Sequence, residues 1–286
     1  MHIITHRGLD PSLPNYYLES SFEAFENQLT RGFGLEFDLQ LTKDNEIIVL
    51  HDKDLNRLSK GKYNTTVGDL DLEKLMSLEF DDGHLISLSG LLSLIENKGS
   101  QDALHAIHIK HFWHIPLFLD ILLQNLKGID HKRFILFDLT PNAAEYIKSK
   151  NKSISLASSV SHLFDIERYN KNIGGTLLTV EEALAHRKLF DWIWLDEWDR
   201  RDKDNRTKNL YTKEIFDKFH RSGMKIALVT PELHRTSPGI SGESHEDAIN
   251  MEKLKKRLKE IISLNPDALC TDYPDIIRQL IKNKTS

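Results

Sequence analysis

Residues 20–42 read SSFEAFENQLTRGFGLEFDLQLT. Two periods meet in this stretch. Ser20, followed three residues later by Glu23, fits a capping box, and Phe22, Phe25 and Leu29 then share one face at helical spacing. Gly32 and Gly34 close that helix. From Leu35 the period becomes two: Leu35, Phe37 and Leu39 point one way, Glu36 and Asp38 the other. A helix feeding a strand with an apolar back and an acidic front is one unit of an α/β fold, whose strands bury their backs under helices.

The unit repeats. Strand candidates lie at His2–Thr5, Leu35–Leu39, Ala106–Lys110, Phe134–Phe137, Ser153–Ala157, Trp192–Asp196, Lys225–Thr230 and Ala268–Thr271. Helical patterns lie between most of them, for example Leu117, Leu119, Ile121, Leu122 and Leu126. Eight such units predict a TIM (β/α)8 barrel, and the 286 residues suffice for one, since the fold needs about 250. We therefore expect a single domain over residues 1–286. One piece breaks the alternation. After Thr42-Lys43-Asp44-Asn45, which reads as a hairpin turn, Glu46–Leu50 is extended again. Residues from about 46 to 85 then read as a small insertion after the second strand, lying over one end of the barrel. Residues 235–250, rich in Ser, Gly and Pro, read as a loop after the seventh strand.

Composition narrows the function. The formal charge of −5 gives no nucleic-acid footprint. The lone Cys270 excludes a disulfide framework and reads as a core residue. No run reaches the ~18 apolar residues of a membrane span, and no signal peptide is legible, so a cytoplasmic location is expected. The basic stretch Met251–Ile262 has its Leu254, Leu258 and Ile261 at the spacing of an outer barrel helix rather than a membrane-surface helix. The sequence carries no signal for an oligomeric state.

The candidate chemistry gathers at strand ends, where barrel active sites form. Glu36 and Asp38 on one strand face are either a divalent-metal site or two ordinary salt bridges; like charges facing a barrel interior cost several kcal/mol, at roughly this scale, unless a cation joins them. His6 ends the first strand and His51 ends the extended piece after the hairpin. A histidine pair of this kind can act as general acid and general base around one reacting centre. Arg7 offers a planar fork for phosphate.

Taken in order, His6-Arg7-Gly8, the run ESSFEAF at 19–25, Glu36-Phe37-Asp38, Thr42-Lys43-Asp44, HDKDLNR at 51–57 and TDYPD at 271–275 closely resemble the glycerophosphodiester phosphodiesterases. The resemblance spans residues 6–275. It implies a TIM barrel with a small insertion after the second strand, one divalent cation (magnesium, calcium or manganese), and hydrolysis of glycerophosphodiesters to glycerol 3-phosphate and an alcohol. By the same resemblance His6 and His51 are the acid/base pair, Arg7 binds phosphate, and Glu36 and Asp38 bind metal. The resemblance further implies attack by a glycerol hydroxyl on phosphorus, giving a cyclic phosphate that is then opened. Glu19 matches a further family position.

The chain departs from the family in one strand. Where the family reads Glu-Ile-Lys, this chain reads His108-Ile109-Lys110. Lys110 keeps a role suited to a phosphate oxygen. With three carboxylates a divalent site carries a formal charge of about −1, and with a neutral imidazole about zero; imidazole also suits manganese, zinc, cobalt and nickel better than calcium or magnesium. His108 is thus a ligand for a softer metal, a substrate contact beside a two-carboxylate site, or the mark of a binder without turnover. Asp196-Glu197-Trp198, after the sixth strand, reads either as a seat for a cationic headgroup or as solvated acids beside packed tryptophans. Two further functions compete with the phosphodiesterase: a lysophospholipase D-like enzyme, and a non-catalytic phosphodiester-binding protein.

Overall fold

The helix read at residues 20–30 forms one residue later than the capping box suggests. The computed structural model, which describes residues 1–14, 17–173, 176–197, 200–201, 206–231 and 246–285, starts helix α1 at Phe22–Thr30 with Ser21 as its cap; the Ala24 N–H donates to the Ser21 hydroxyl at 3.1 Å. Ser20 is instead held outside the helix at φ +58, its N–H donating to the Arg7 carbonyl. Glu23 is drawn away to His84, whose N–H donates to it at 2.9 Å. Starting later leaves Phe22 on the exposed first turn, while Phe25 and Leu29 are buried. Gly32, at φ +79, ends the helix, and Gly34 already belongs to the next strand.

The strands are β1 (His2–His6), β2 (Gly34–Leu41), β3 (Ile47–Val49), β4 (His105–His108), β5 (Phe134–Phe137), β6 (Ser155–Val160), β7 (Trp192–Leu195), β8 (Lys225–Val229) and β9 (Ala268–Thr271). All except β3 are parallel, and β1 pairs with both β9 and β2, so eight strands close into a TIM barrel. β3 runs antiparallel on β2 through a turn with Asn45 at φ +61. The helices after α1 are α2 (Leu72–Met76), α3 (Leu88–Lys98), α4 (Pro116–Asn125), α5 (Pro141–Lys150), α6 (Leu163–Ile173), α7 (Val180–Ala185), α8 (Lys213–Arg221), α9 (Met251–Ser263) and α10 (Pro274–Thr285).

The period of two divides the core into layers. Leu35, Phe37, Leu39, Ile107, Ile109 and Leu136 pack outward against Phe25, Leu91, Phe118 and other helix residues. Ile4, Ala106, Ile135, Phe137, Trp192, Trp194 and Cys270 belong to a separate cluster that fills the barrel interior. In α9, Leu254, Leu258 and Ile261 are buried, as their spacing predicts for an outer helix. Between β3 and α3 the chain leaves the barrel, and Leu55, Leu58, Val67, Leu75 and Leu85 form a third cluster with Leu18, Ile48 and Leu50. Among the described residues no helix is long and apolar enough to cross a membrane. The loop read at 235–250 lies, up to residue 245, outside the described residues.

One histidine belongs to this scaffold. His105 is fully buried, and its Nδ1 accepts the Leu35 N–H at 3.2 Å, joining β4 to β2. Burial, and then the charge of Arg133, pulls its imidazole from 6.5 down to about 3. The unfolded chain binds a proton between these values and the folded chain does not. The stabilisation is therefore complete above 6.5 and is lost as pH falls toward 3. The thermal midpoint is expected to fall progressively below pH 6.5, and to fall less in His105→Gln; equal slopes in the two proteins would exclude His105 as the cause.

Candidate active site

Strand register assembles the site. His6 lies opposite Glu36 across β1–β2, and Asp38 lies opposite His108 across β2–β4. Four titratable side chains from three neighbouring strands thus meet at the carboxyl ends of the barrel. His6-Arg7-Gly8 makes the turn out of β1. Arg7 takes φ +53, a backbone state that side chains seldom adopt. That turn carries its guanidinium back over the mouth, with Nε 3.2 Å from Asp38 Oδ2 and Nη1 3.4 Å from Glu19 Oε1. Gly8 lies so close to α1 that a Cβ would sit 2.9 Å from the Ala24 Cβ, which explains the glycine of the triplet.

His51 reaches the same mouth by a different route from the one expected for a barrel strand end. β3 is not a barrel strand; its hairpin doubles back along β2 until the Leu50 N–H donates to the Asp38 carbonyl at 3.0 Å. The His51 carbonyl then accepts from Gln40 Nε2 at 2.8 Å and from Lys110 Nζ at 2.5 Å. Lys110 Nζ also lies 3.4 Å from Asp38 Oδ1. All seven residues singled out in the sequence, His6, Arg7, Glu36, Asp38, His51, His108 and Lys110, are thereby brought together.

Both candidate acid/base rings have one nitrogen committed. His6 Nδ1 is 3.2 Å from Asp272 Oδ1, and His51 Nδ1 is 2.5 Å from Asp52 Oδ1. Asp52 in turn accepts from Arg57 Nε at 2.6 Å, and Arg57 donates to Glu19. Burial, and then Arg7, pulls the His6 imidazole down to about 3. Burial also lowers His51 to about 4, although Asp38 and Asp52 oppose it. Both rings are neutral at neutral pH.

The carboxylates differ. Burial pushes Asp38 up, but Lys110, His51 and Arg7, with the His108 hydrogen bond, outweigh it and hold this carboxyl well below its usual range. For Glu36 the charges of Arg7, His108 and Lys110 pull the same way but do not prevail. Burial, and then the charge of Asp38, pushes it up to about 8, and its Oε2 is buried without a hydrogen-bond partner. An orphaned carboxylate oxygen beside a second carboxylate and an imidazole fits a divalent cation. Glu36, Asp38 and His108 can each offer a ligand atom, all within 4.8 Å of one another. His108 lies between two acids: Nδ1 is 2.8 Å from Asp38 Oδ1 and Nε2 is 3.1 Å from Asp138 Oδ2. Burial would lower this ring, but the hydrogen bonds to Asp138 and Asp38 raise it to about 9.

Asp138 was not legible as a site residue, although an acid directly after the strand FILF obeys the same strand-end rule that selected His6. Nor were Asp52, Arg57 and Asp272 legible in these pairings. Of the acids at 196–197, Glu197 is buried and Asp196 half-buried, so neither stands free in solvent. Glu197 accepts from Arg257 Nη2 at 2.7 Å and so is not a headgroup seat. Trp198 lies outside the described residues. Trp192 and Trp194 pack inside the barrel, Trp194 stacking on Phe137 at 3.9 Å.

A barrel whose strand ends gather imidazoles, carboxylates and two cations has the groups that hydrolysis of a phosphate ester needs. Comparison with known proteins gives the family. The sequence model of the glycerophosphoryl diester phosphodiesterase family matches residues 6–276, and the chain belongs to that family of phosphoric diester hydrolases. A glycerophosphodiester phosphodiesterase from Bacillus altitudinis is 25% identical over 280 residues, covering 96% of this chain and 95% of that protein. A structure from Galdieria sulphuraria, described as a glycerophosphodiester phosphodiesterase, superimposes with a TM-score of 0.70 at 20% identity, covering 99% of this chain and 98% of that one. A phosphodiesterase from Oleispira antarctica, solved with its product sn-glycerol-3-phosphate, gives 0.66 at 16% identity over 99% and 97% of the two chains.

Proposed function

We propose that the chain hydrolyses glycerophosphodiesters to glycerol 3-phosphate and an alcohol, with one divalent cation held by Glu36, Asp38 and His108. The observation that carries this reading is the meeting of two neutral histidines, each tied through Nδ1 to an acid, with an orphaned buried carboxylate oxygen. When bound, the cation would polarise a phosphate oxygen. Arg7 and Lys110 set positive charge on the same face and orient the phosphodiester. One of His6 and His51 takes the proton of the attacking glycerol hydroxyl through its uncommitted nitrogen; the other, protonated once the phosphodiester anion has offset part of the Arg7 charge, gives that proton to the departing alcohol oxygen, and the roles reverse as water opens the cyclic phosphate to glycerol 3-phosphate. Asp272 and Asp52 stabilise each imidazolium as it forms.

The test is hydrolysis by chelator-stripped protein of glycerophosphocholine and of an aryl phosphodiester, with calcium, magnesium, manganese, cobalt or zinc added singly. The expected result is release of glycerol 3-phosphate, restored best by manganese, cobalt or zinc because an imidazole is in the ligand set. Best restoration by calcium or magnesium would move His108 from the metal to the substrate. Silence with every metal on both substrates would overturn the reading.

A further inference from the structure

The imidazole at position 108 raises a question that a carboxylate there would not. A carboxylate offers its oxygens to a metal without choice. An imidazole must keep its one remaining N–H on the nitrogen that does not ligate, and something has to decide which one. Here the two ring nitrogens face different acids, Nδ1 toward Asp38 on β2 and Nε2 toward Asp138. The ring is also stacked on Phe137, with centroids 4.7 Å apart, so it cannot tip freely between them.

We infer that Asp138 is the positioning residue that turns His108 into a metal ligand: without a cation both ring nitrogens face acids, and with one in place Asp138 would keep the ring N–H on Nε2 while the Nδ1 position, here turned to Asp38, serves the Glu36–Asp38 side. Asp138 is built for this. It is buried at 4% exposure, directly after β5, and it takes φ +64, a strained backbone state for a side-chain-bearing residue. A carboxylate behind a ligating histidine fixes both its tautomer and its orientation, and raises its basicity. Where the resemblance places a carboxylate on the metal, this chain then has a histidine with an acid behind it. In this role Asp138 acts through His108, whose Nε2 it meets at 3.1 Å. The inference rests on the metal reading proposed above.

The experiment is calorimetric titration of manganese, with the visible spectrum of bound cobalt as a second readout, on the unchanged chain, Asp138→Asn, His108→Glu and the double variant. Asp138→Asn is expected to weaken manganese binding about ten- to a hundredfold and to alter the cobalt spectrum. In the His108→Glu background the same substitution is expected to leave affinity unchanged or to improve it, because Asp138 would there face another carboxylate. An equal loss in both backgrounds would make Asp138 merely structural and overturn the inference. So would unchanged affinity and spectrum in Asp138→Asn while the unchanged chain binds manganese. No binding by the unchanged chain would overturn the metal reading itself, and the role of Asp138 with it.

Discussion

His6→Ala and His51→Ala are each expected to lower kcat on glycerophosphocholine by roughly a thousandfold, the middle of the range for loss of a general acid or base. Each ring is pre-set for its task. His6 and His51 hold Nδ1 against Asp272 and Asp52, which leaves one nitrogen of each ring for substrate. Both are pulled below the ordinary imidazole value, His6 to about 3 by burial and then Arg7, and His51 to about 4 chiefly by burial. An arriving phosphodiester anion neutralises part of the Arg7 charge, so the rings become better bases once substrate is bound. Because the two act on one proton circuit, the double variant is expected to be barely slower than the worse single variant. Steady-state kinetics with a thermal melt of each protein checks this. His51 has a side chain 26% exposed, so His51→Ala should change stability by less than about 1 kcal/mol. Normal turnover in either single variant, with the fold intact, would remove that residue from catalysis.

What could be read from the sequence follows from what is local. Phe134–Phe137 and Ala268–Thr271 are strands with the expected limits, because short apolar runs bounded by polar residues leave little choice. Eight such runs were enough for the barrel. The two-residue period put Glu36 and Asp38 on one face, and HRG with the later motifs pointed to the family. Pairings across the chain were not legible. Nothing local to residue 6 says that its ring will meet Asp272, 266 positions away. Nor does residue 108 announce Asp138 just past the next barrel strand, since that contact depends on register and on a positive φ. The cap at Ser21 was missed for a related reason. Ser20 and Ser21 are equivalent as sequence, and the choice is made by the Arg7 carbonyl, which captures the Ser20 N–H. The buried pairing of Glu197 likewise depends on Arg257 of a distant helix.

Glu36→Gln is expected to move stability and function in opposite directions. Glu36 is 3% exposed, faces a carboxylate two residues away, and has a buried oxygen with no hydrogen-bond partner. Asp38 is the acid that Arg7, Lys110 and His108 touch; on Glu36 they act through their charge alone, and burial with the charge of Asp38 outweighs them and pushes it up to about 8. Folding therefore holds this carboxyl against its preference at neutral pH. An amide of the same shape carries no charge and adds N–H donors beside Asp38. Chelator-stripped Glu36→Gln should thus be more stable by on the order of 1–2 kcal/mol, a rise of several degrees in Tm. Manganese should reverse the order. At a hundredfold excess over Kd, a ligand that binds only the folded chain stabilises it by about 2.7 kcal/mol. The unchanged chain should gain that shift, while the variant, short of one ligand oxygen, should gain little and lose at least about a hundredfold in turnover. Thermal melts of both proteins, in chelator and in manganese, make the comparison. A variant that is less stable in chelator, with a full manganese shift, would mean that Glu36 is a structural acid and that the cation is held elsewhere.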